Sequence, residues 1–258
     1  METEAALSAN AVSKSFKGFR ALHEVDLRVR KGSIHGIIGP NGAGKTTLMH
    51  VLTCTVRPTH GRVYLGATDI TGLSPAKVAK LGLVRSFQIC AVFPQLSVLQ
   101  NVRLALQRRH QGNYSFWSSN RLLKVLDDEA MALLEDVGLA AWCRHSAEQL
   151  SYGRKRALEF ATTLAADPRV LLLDEPMAGL GAEEIPRLAE LIRRFSSGRT
   201  VVMVEHHLPA VSELCDTVTA MSRGSVLATG TYAEVAAHEA VRSSYLGKGL
   251  RPQEEANA

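Results

Sequence analysis

The sequence predicts an α/β chain: a mostly parallel sheet, a β-rich N-terminal portion and a helical segment inserted in the middle. Three observations carry that expectation. Short apolar runs at Ile34-His35-Gly36-Ile37-Ile38, Val170-Leu171-Leu172-Leu173, Thr200-Val201-Val202-Met203-Val204 and Val218-Thr219-Ala220-Met221 are separated by helical segments, so they read as strands buried on both faces. The first sixty-odd residues hold short strands divided by Gly-containing turns. Between about residues 88 and 156 the apolar spacing is helical instead.

Within the β-rich portion, Ala11-Val12-Ser13, Val25-Asp26-Leu27-Arg28-Val29 and Arg62-Val63-Tyr64-Leu65 are short and partly alternating. Pro58-Thr59-His60-Gly61 is the turn into the last of them. Helices are expected over 99–107 and 121–137, where Leu122, Leu126, Met131, Leu134 and Val137 recur at three- to five-residue steps. Residues 111–119, with Tyr114, Phe116 and Trp117, read as an irregular insert whose aromatics pack locally or meet a partner. Residues 157–166 are helical and Asp167-Pro168 stops them. Residues 250–258 are polar and expected to fray, and there is no internal repeat.

With 258 residues, 46% hydrophobic and 21% charged, the chain has material for one large domain or a core plus a smaller lobe. No window of 18 uncharged apolar residues is present, so no bilayer span is expected. The opening METEAALSAN has two acids and no basic stretch, unlike a secretory signal. Cys54, Cys90, Cys143 and Cys215 lack CxxC spacing, which argues for a reducing compartment and against a metal site or disulfide framework. A net charge of +5 suits an anionic partner (nucleotide, nucleic acid or lipid surface) without choosing among them. The densest basic run, Arg108-Arg109-His110, reads as a solvated helix end.

Chemistry concentrates first at Gly39-Pro40-Asn41-Gly42-Ala43-Gly44-Lys45-Thr46-Thr47, between the Ile34–Ile38 strand and an apolar helical start at Leu48. Gly39, Gly44, Lys45 and Thr46 meet the pattern G-x-x-x-x-G-K-S/T. The glycines let the backbone curl into a nest whose N–H groups converge on phosphate oxygens, and the helix adds the positive end of its dipole. Lys45 supplies a mobile cation for the β- and γ-phosphates and Thr46 a hydroxyl for Mg²⁺, with Asn41, Gly42, Ala43 and Thr47 in the same cradle. Such a loop needs an acid on the metal side and a group to handle water. The run ending Leu173-Asp174-Glu175-Pro176 offers Asp174 for the Mg²⁺ shell and Glu175 to orient or deprotonate water.

A third segment, Leu150-Ser151-Tyr152-Gly153-Arg154-Lys155-Arg156, completes a resemblance to the ATP-binding subunits of ABC transporters. It looks like their signature, usually LSGGQ, in the LSYG form of importers of branched-chain and other hydrophobic amino acids. Phe16 sits where an aromatic stacks on adenine, Gln88 matches the Q-loop, His206 matches the switch histidine, and the ending Tyr245-Leu246-Gly247 is similar to that subfamily. The resemblance spans about residues 8–247. It implies a P-loop NTPase core with an antiparallel β subdomain and an inserted helical subdomain. The division it implies is a RecA-like ATP-binding core at 1–87 and 157–247, a helical signature subdomain at 88–156 and a tail at 248–258.

The family geometry implies that ATP and Mg²⁺ lie between two subunits, with Ser151 and Gly153 of one capping the γ-phosphate held by the other. Glu175 would be the base, Gln88 and His206 would position water, Mg²⁺ and γ-phosphate, and Thr46, Gln88 and Asp174 would form the metal side. The implied partners are a second ATP-binding subunit, identical or a sister, the transmembrane permease subunits and, indirectly, a substrate-binding protein. The implied location is the cytoplasmic face of the membrane, and no nucleic-acid partner is expected. Val92, Phe93 and Leu96 are candidates for receiving a permease helix, or for the core. His207 reads as an ordinary surface histidine.

Several positions depart from the family pattern. Tyr152 and Arg154 replace a Gly and the Gln of the signature, and Arg154 would add a cation near the γ-phosphate. Gly181 stands in place of the D-loop Asp, and Cys54 where Gly is commoner. A urea or lipid transporter ATPase is the nearest rival reading. A soluble ABC ATPase acting on DNA or ribosomes lacks its usual coiled-coil insert or second module here, and a binding-only regulator is at odds with Glu175 and His206.

Overall fold

A computed structural model describes residues 4–86, 92–110 and 120–245. The N-terminal portion contains β1 (Ala5–Phe16), β2 (Phe19–Arg30), β3 (Ile34–Ile38), α1 (Lys45–Leu52), β4 (His60–Leu65), β5 (Thr68–Asp69), α2 (Pro75–Lys80) and β6 (Leu83–Arg85). The helical stretch follows as α3 (Val98–His110) and α4 (Asn120–Asp136), two short 3₁₀ turns (Ala140–Trp142 and Ala147–Gln149) and α5 (Tyr152–Leu164). The chain then alternates through β7 (Val170–Asp174), α6 (Glu184–Ser196), β8 (Thr200–Val204), α7 (Leu208–Leu214), β9 (Thr217–Ser222), β10 (Ser225–Gly230), α8 (Tyr232–Ala237) and α9 (Glu239–Ser244).

Among the described residues there are two sheets. One is four-stranded, in the order β2-β1-β4-β5, and antiparallel throughout. The other has six strands in the order β10-β9-β3-β8-β7-β6, with parallel pairing from β9 to β6 and an antiparallel edge at β10. Every residue of β3, β7 and β8 is buried, which explains why those runs are continuously apolar.

Side chains alternate across a strand, so each central strand feeds two cores. Leu171, Leu173, Val201 and Met203 join the helices of the 98–214 stretch on one face. Val170, Leu172, Val202 and Val204 join α1 and the antiparallel sheet on the other. Burying one such Leu or Val stabilises the fold by roughly 1.5–3 kcal/mol.

The first two strands are longer than their alternation suggests, and the cause is local. Their register shifts between Ala9/Val12 and Val12/Lys14, and Ala11 and Glu24 adopt left-handed φ of 46° and 44°. Each bulge resets the two-residue period, leaving only the short stretches legible. Asp26 Oδ1 accepts from the Ala11 N–H at 2.8 Å and Ser13 Oγ from the Glu24 N–H at 2.9 Å, which satisfies the displaced backbone.

Helix α5 begins five residues before the expected 157, because Ser151 caps it: its extended backbone (φ −60°, ψ 163°) turns its hydroxyl toward the Arg154 N–H. Helices α3 and α4 match the two expected helical segments to within a few residues. Phe87, Gln88, Cys90, the 111–119 insert and the 246–258 tail with Leu246 and Gly247 lie outside the described residues. No helix among the described residues is long and apolar enough to cross a membrane.

Candidate nucleotide site

Three neighbouring parallel strands, β3, β8 and β7, deliver the candidate residues at their C-terminal ends. That edge of a parallel sheet is where ligands of open α/β folds bind. The loop after β3 is tightly seated. A side chain at Gly39 would place its Cβ 2.4 Å from the Met221 carbonyl oxygen, and one at Gly44, where φ is 98°, would sit 2.8 Å from that of Ala21. No other residue type fits there, which is the physical reason for the outer glycines of the motif.

Lys45 opens α1 and is only 6% exposed. Its Nζ donates to the carbonyls of Gly39 at 2.7 Å and Pro40 at 3.1 Å, so the ammonium lies folded against the loop. Burial holds its pKa below the ordinary lysine value, with the charges of Glu175 and Asp174 opposing that shift. Those two acids therefore share the electrostatic environment of the loop. Asn41, Gly42 and Thr46 are exposed at the loop surface, while Ala43 is buried and Thr47 half-buried.

Asp174 ends β7 and is 1% exposed. Its Oδ2 pairs with the Arg85 guanidinium from β6, and its Oδ1 has no hydrogen-bond partner among the described residues. Glu175, one residue on, adopts left-handed φ of 49°, while its N–H donates to the Val204 carbonyl at 2.9 Å. Its Oε1 lies 3.1 Å from His206 Nε2. The structure thus brings Glu175 and His206 together from two strands, and sets Lys45 in the field of Asp174 and Glu175.

Oxygen donors suit a hard cation such as Mg²⁺, which keeps water and phosphate ligands beside one or two protein groups. The unpartnered buried Oδ1 of Asp174 and the exposed Thr46 hydroxyl fit that donor set. No group of three or more His, Cys, Asp or Glu residues able to cage a metal occurs among the described residues.

The signature segment packs elsewhere, on the turn after β7. Tyr152 Oη donates to the Ala178 carbonyl at 3.1 Å and accepts from Arg156 at 2.9 Å. Its ring covers Gly179, and the Glu184 carboxylate fills the space a Cβ at Gly153 would need while its Oε2 accepts from the Gly181 N–H at 3.0 Å. Arg154, expected to bring a cation toward the phosphates, has its guanidinium stacked 4.1 Å from the Trp142 ring centroid.

Phe16 ends β1, 44% exposed, with Lys14 Nζ 4.9 Å from its ring centroid. It pairs across the hairpin with Phe19, which is 70% exposed and was not singled out from the sequence. Nor were Arg85 and Glu205. Glu205 is a buried acid whose side chain accepts from the Met177, His206 and His207 N–H groups. The only signal for it is an acid placed directly after a four-residue apolar run. His207 caps α7 through Nδ1, which accepts from the Ala210 N–H at 3.2 Å. Of the apolar candidates for a permease contact, Val92 packs against the helical-side core and Phe93 is exposed.

The sequence profile described as ABC transporter matches residues 22–178. The chain belongs to the ABC transporter ATP-binding family. A second profile, Branched-chain amino acid ATP-binding cassette transporter, matches residues 225–250 of this cassette. The High-affinity branched-chain amino acid transport ATP-binding protein BraF of Pseudomonas aeruginosa is 34% identical over 250 residues, covering 94% of this chain and 98% of that protein. A crystal structure of the ADP conformation of an ATP-binding cassette superposes with a TM-score of 0.84 at 28% identity, covering 95% of this chain and all of the other. A dimeric cassette in a post-hydrolysis state bound to ADP and Pi superposes with a TM-score of 0.76 at 25% identity, over 88% and 98% of the two chains. The cassette is an ATPase of the P-loop NTPase fold, with a mostly parallel sheet, an antiparallel sheet and helices.

Proposed function

We propose that this ABC cassette hydrolyses ATP to drive a membrane importer of branched-chain or other hydrophobic amino acids. The observation that carries the chemistry is the meeting of Glu175 and His206 at the strand ends beside Lys45. The substrate class rests on the LSYG form of the signature, the subfamily match at 225–250 and the transport relatives.

In this reading the 39–47 loop binds the triphosphate, Lys45 leaving its two carbonyl partners for the β- and γ-oxygens. Phe16 stacks on adenine. Thr46, Asp174 and Gln88 hold Mg²⁺, which when bound neutralises phosphate charge. Gln88 lies outside the described residues. Glu175 takes a proton from the attacking water, and His206 orients the Glu175 carboxylate and the γ-phosphate. Ser151 and Gly153 close the site of a second cassette through backbone N–H groups and the α5 dipole.

Residues 1–87 and 157–247 serve as the ATP-binding core with its β subdomain, 88–156 as the signature subdomain and 248–258 as a tail. The cassette works as a dimer, of identical or sister subunits, against permease subunits at the cytoplasmic face of the membrane, with a binding protein delivering substrate.

The test is uptake of labelled leucine into vesicles holding this chain and its co-purifying membrane subunits. ATP-dependent uptake that is lost in Glu175→Gln supports the reading. Uptake of urea or a lipid instead, with no amino acid transported, removes the substrate class and leaves the ATPase.

A further inference from the structure

Glu205 follows β8 directly and is 3% exposed. Its two carboxylate oxygens face two different turns. Oε1 accepts from the Met177 N–H at 2.7 Å, in the turn after β7. Oε2 accepts from the N–H groups of His206 at 2.7 Å and His207 at 3.0 Å, in the turn after β8. These turns carry Glu175 and His206, whose side chains meet at 3.1 Å. Taking a carboxylate out of water is costly unless its oxygens are satisfied, and three N–H dipoles provide that here. The arrangement also bears on strain. Glu175 holds a left-handed φ of 49°, a conformation that persists in a non-glycine residue only when its surroundings enforce it. The Glu205 bond to Met177, two residues further on, is one such restraint.

We propose that Glu205 is a positioning residue for ATP hydrolysis, its buried carboxylate clamping the Glu175 turn to the His206 turn and so fixing the separation of those two groups. In this role Glu205 acts through the Met177, His206 and His207 backbone rather than on the reacting atoms. The inference rests on the reading of Glu175 as the base. A glutamine of the same shape cannot replace it. It offers one acceptor oxygen and one NH₂, so it satisfies one turn and presents hydrogens to the N–H donors of the other. Aspartate keeps the charge but is one methylene short of spanning both turns.

The experiment measures ATP hydrolysis by the 258-residue chain, normalised to bound ATP, for Glu205→Gln, Glu205→Asp, Glu175→Gln and Thr219→Val. Misplacing a catalytic group by about 1 Å costs on the order of 100-fold. Both Glu205 variants are expected to lose roughly 10- to 100-fold in kcat, with KM for ATP held within about threefold because the 39–47 loop is untouched. Thr219→Val removes a buried hydroxyl that lies 2.8 Å from His35 and 3.0 Å from Thr229 in the same sheet. It is expected to lower Tm while keeping kcat, which separates positioning from general destabilisation. Wild-type kcat in either Glu205 variant that folds, whatever its Tm, overturns the inference. So does a rise in KM that accounts for the whole loss. If Glu175→Gln turns over normally, the reading of the base falls and the inference with it. If Glu175→Gln is inactive while the Glu205 variants are normal, the inference alone fails.

Discussion

At the strand ends, three parallel strands converge on one edge, and both acids there meet a side chain from a neighbouring strand or the turn after it. Asp174 is held by Arg85, Glu175 meets His206, and Lys45 is folded over its own loop. The signature segment is built differently. Its Tyr152 and Gly153 lie against the 178–184 stretch, its Arg154 lies on Trp142, its Leu150 is in the core, and Tyr152 stays 46% exposed. The first region is buried where strands meet; the second is a partly exposed helix start held by the 178–184 stretch on one side and Trp142 on another. The difference teaches where each region's interactions are completed. Parallel strands need covered faces and bring remote residues to one edge, whereas a helix start leaves its first backbone N–H groups only in part satisfied by its own cap. A dimeric cassette bound to ADP and Pi is among the structures this fold resembles.

The contrast breaks most sharply at Glu175. Glu175→Gln is expected to slow hydrolysis by two to four orders of magnitude, the range for losing a general base, while ATP binding persists. Phosphate release and equilibrium nucleotide binding on the same preparation check it, and unchanged turnover would refute the assignment. Lys45→Ala comes next. Charged hydrogen bonds contribute about 1.5–3 kcal/mol, so ATP affinity should fall roughly 10- to 100-fold. Titration with a fluorescent ATP analogue reads this, and normal affinity would count against the phosphate loop.

A smaller effect tests the scaffold beneath the strand ends. His35, in β3, is buried, and burial lowers its pKa to about 4 from 6.5. The unfolded chain therefore binds this proton more readily than the folded chain, so the stability contributed above pH 6.5 is lost as pH falls through that value toward 4. Between pH 8 and 5.5 the cost is about 1–2 kcal/mol. Denaturant titrations of wild type and His35→Gln at both pH values should differ by that amount, and parallel curves would show that His35 does not titrate on unfolding. The smallest change is expected at the signature. Tyr152→Phe removes the bonds to Ala178 and Arg156, in part exposed, and should lower stability by no more than about 1 kcal/mol. ATP binding to the 39–47 loop should be unaffected, and a larger loss of binding would show that the two regions are coupled within one chain.

Much of this was legible in the sequence because the signals are local. Continuous apolar runs marked β3, β7, β8 and β9, and the glycine spacing marked the tight loop at 39–47. The full length of the first strands is not legible because bulges at Ala11 and Glu24 interrupt the alternation. The start of α5 was read late because polar Tyr152-Gly153-Arg154-Lys155-Arg156 carries little apolar period. Phe19, Arg85 and Glu205 were missed because an exposed hairpin aromatic, a basic strand residue and an acid after a strand look ordinary on their own.

By itself the sequence determined which segments are buried on both faces and which tight loop needs glycine at both ends, since both follow from residue type and spacing along one stretch of chain. Only the tertiary structure decided that the Asp174 carboxylate would face Arg85, that Glu205 would join two turns, and that Arg154 would lie on Trp142. Each of those contacts is made between residues from different elements, or turned by a side-chain rotamer, and depends on strand order and helix packing that a linear pattern does not encode.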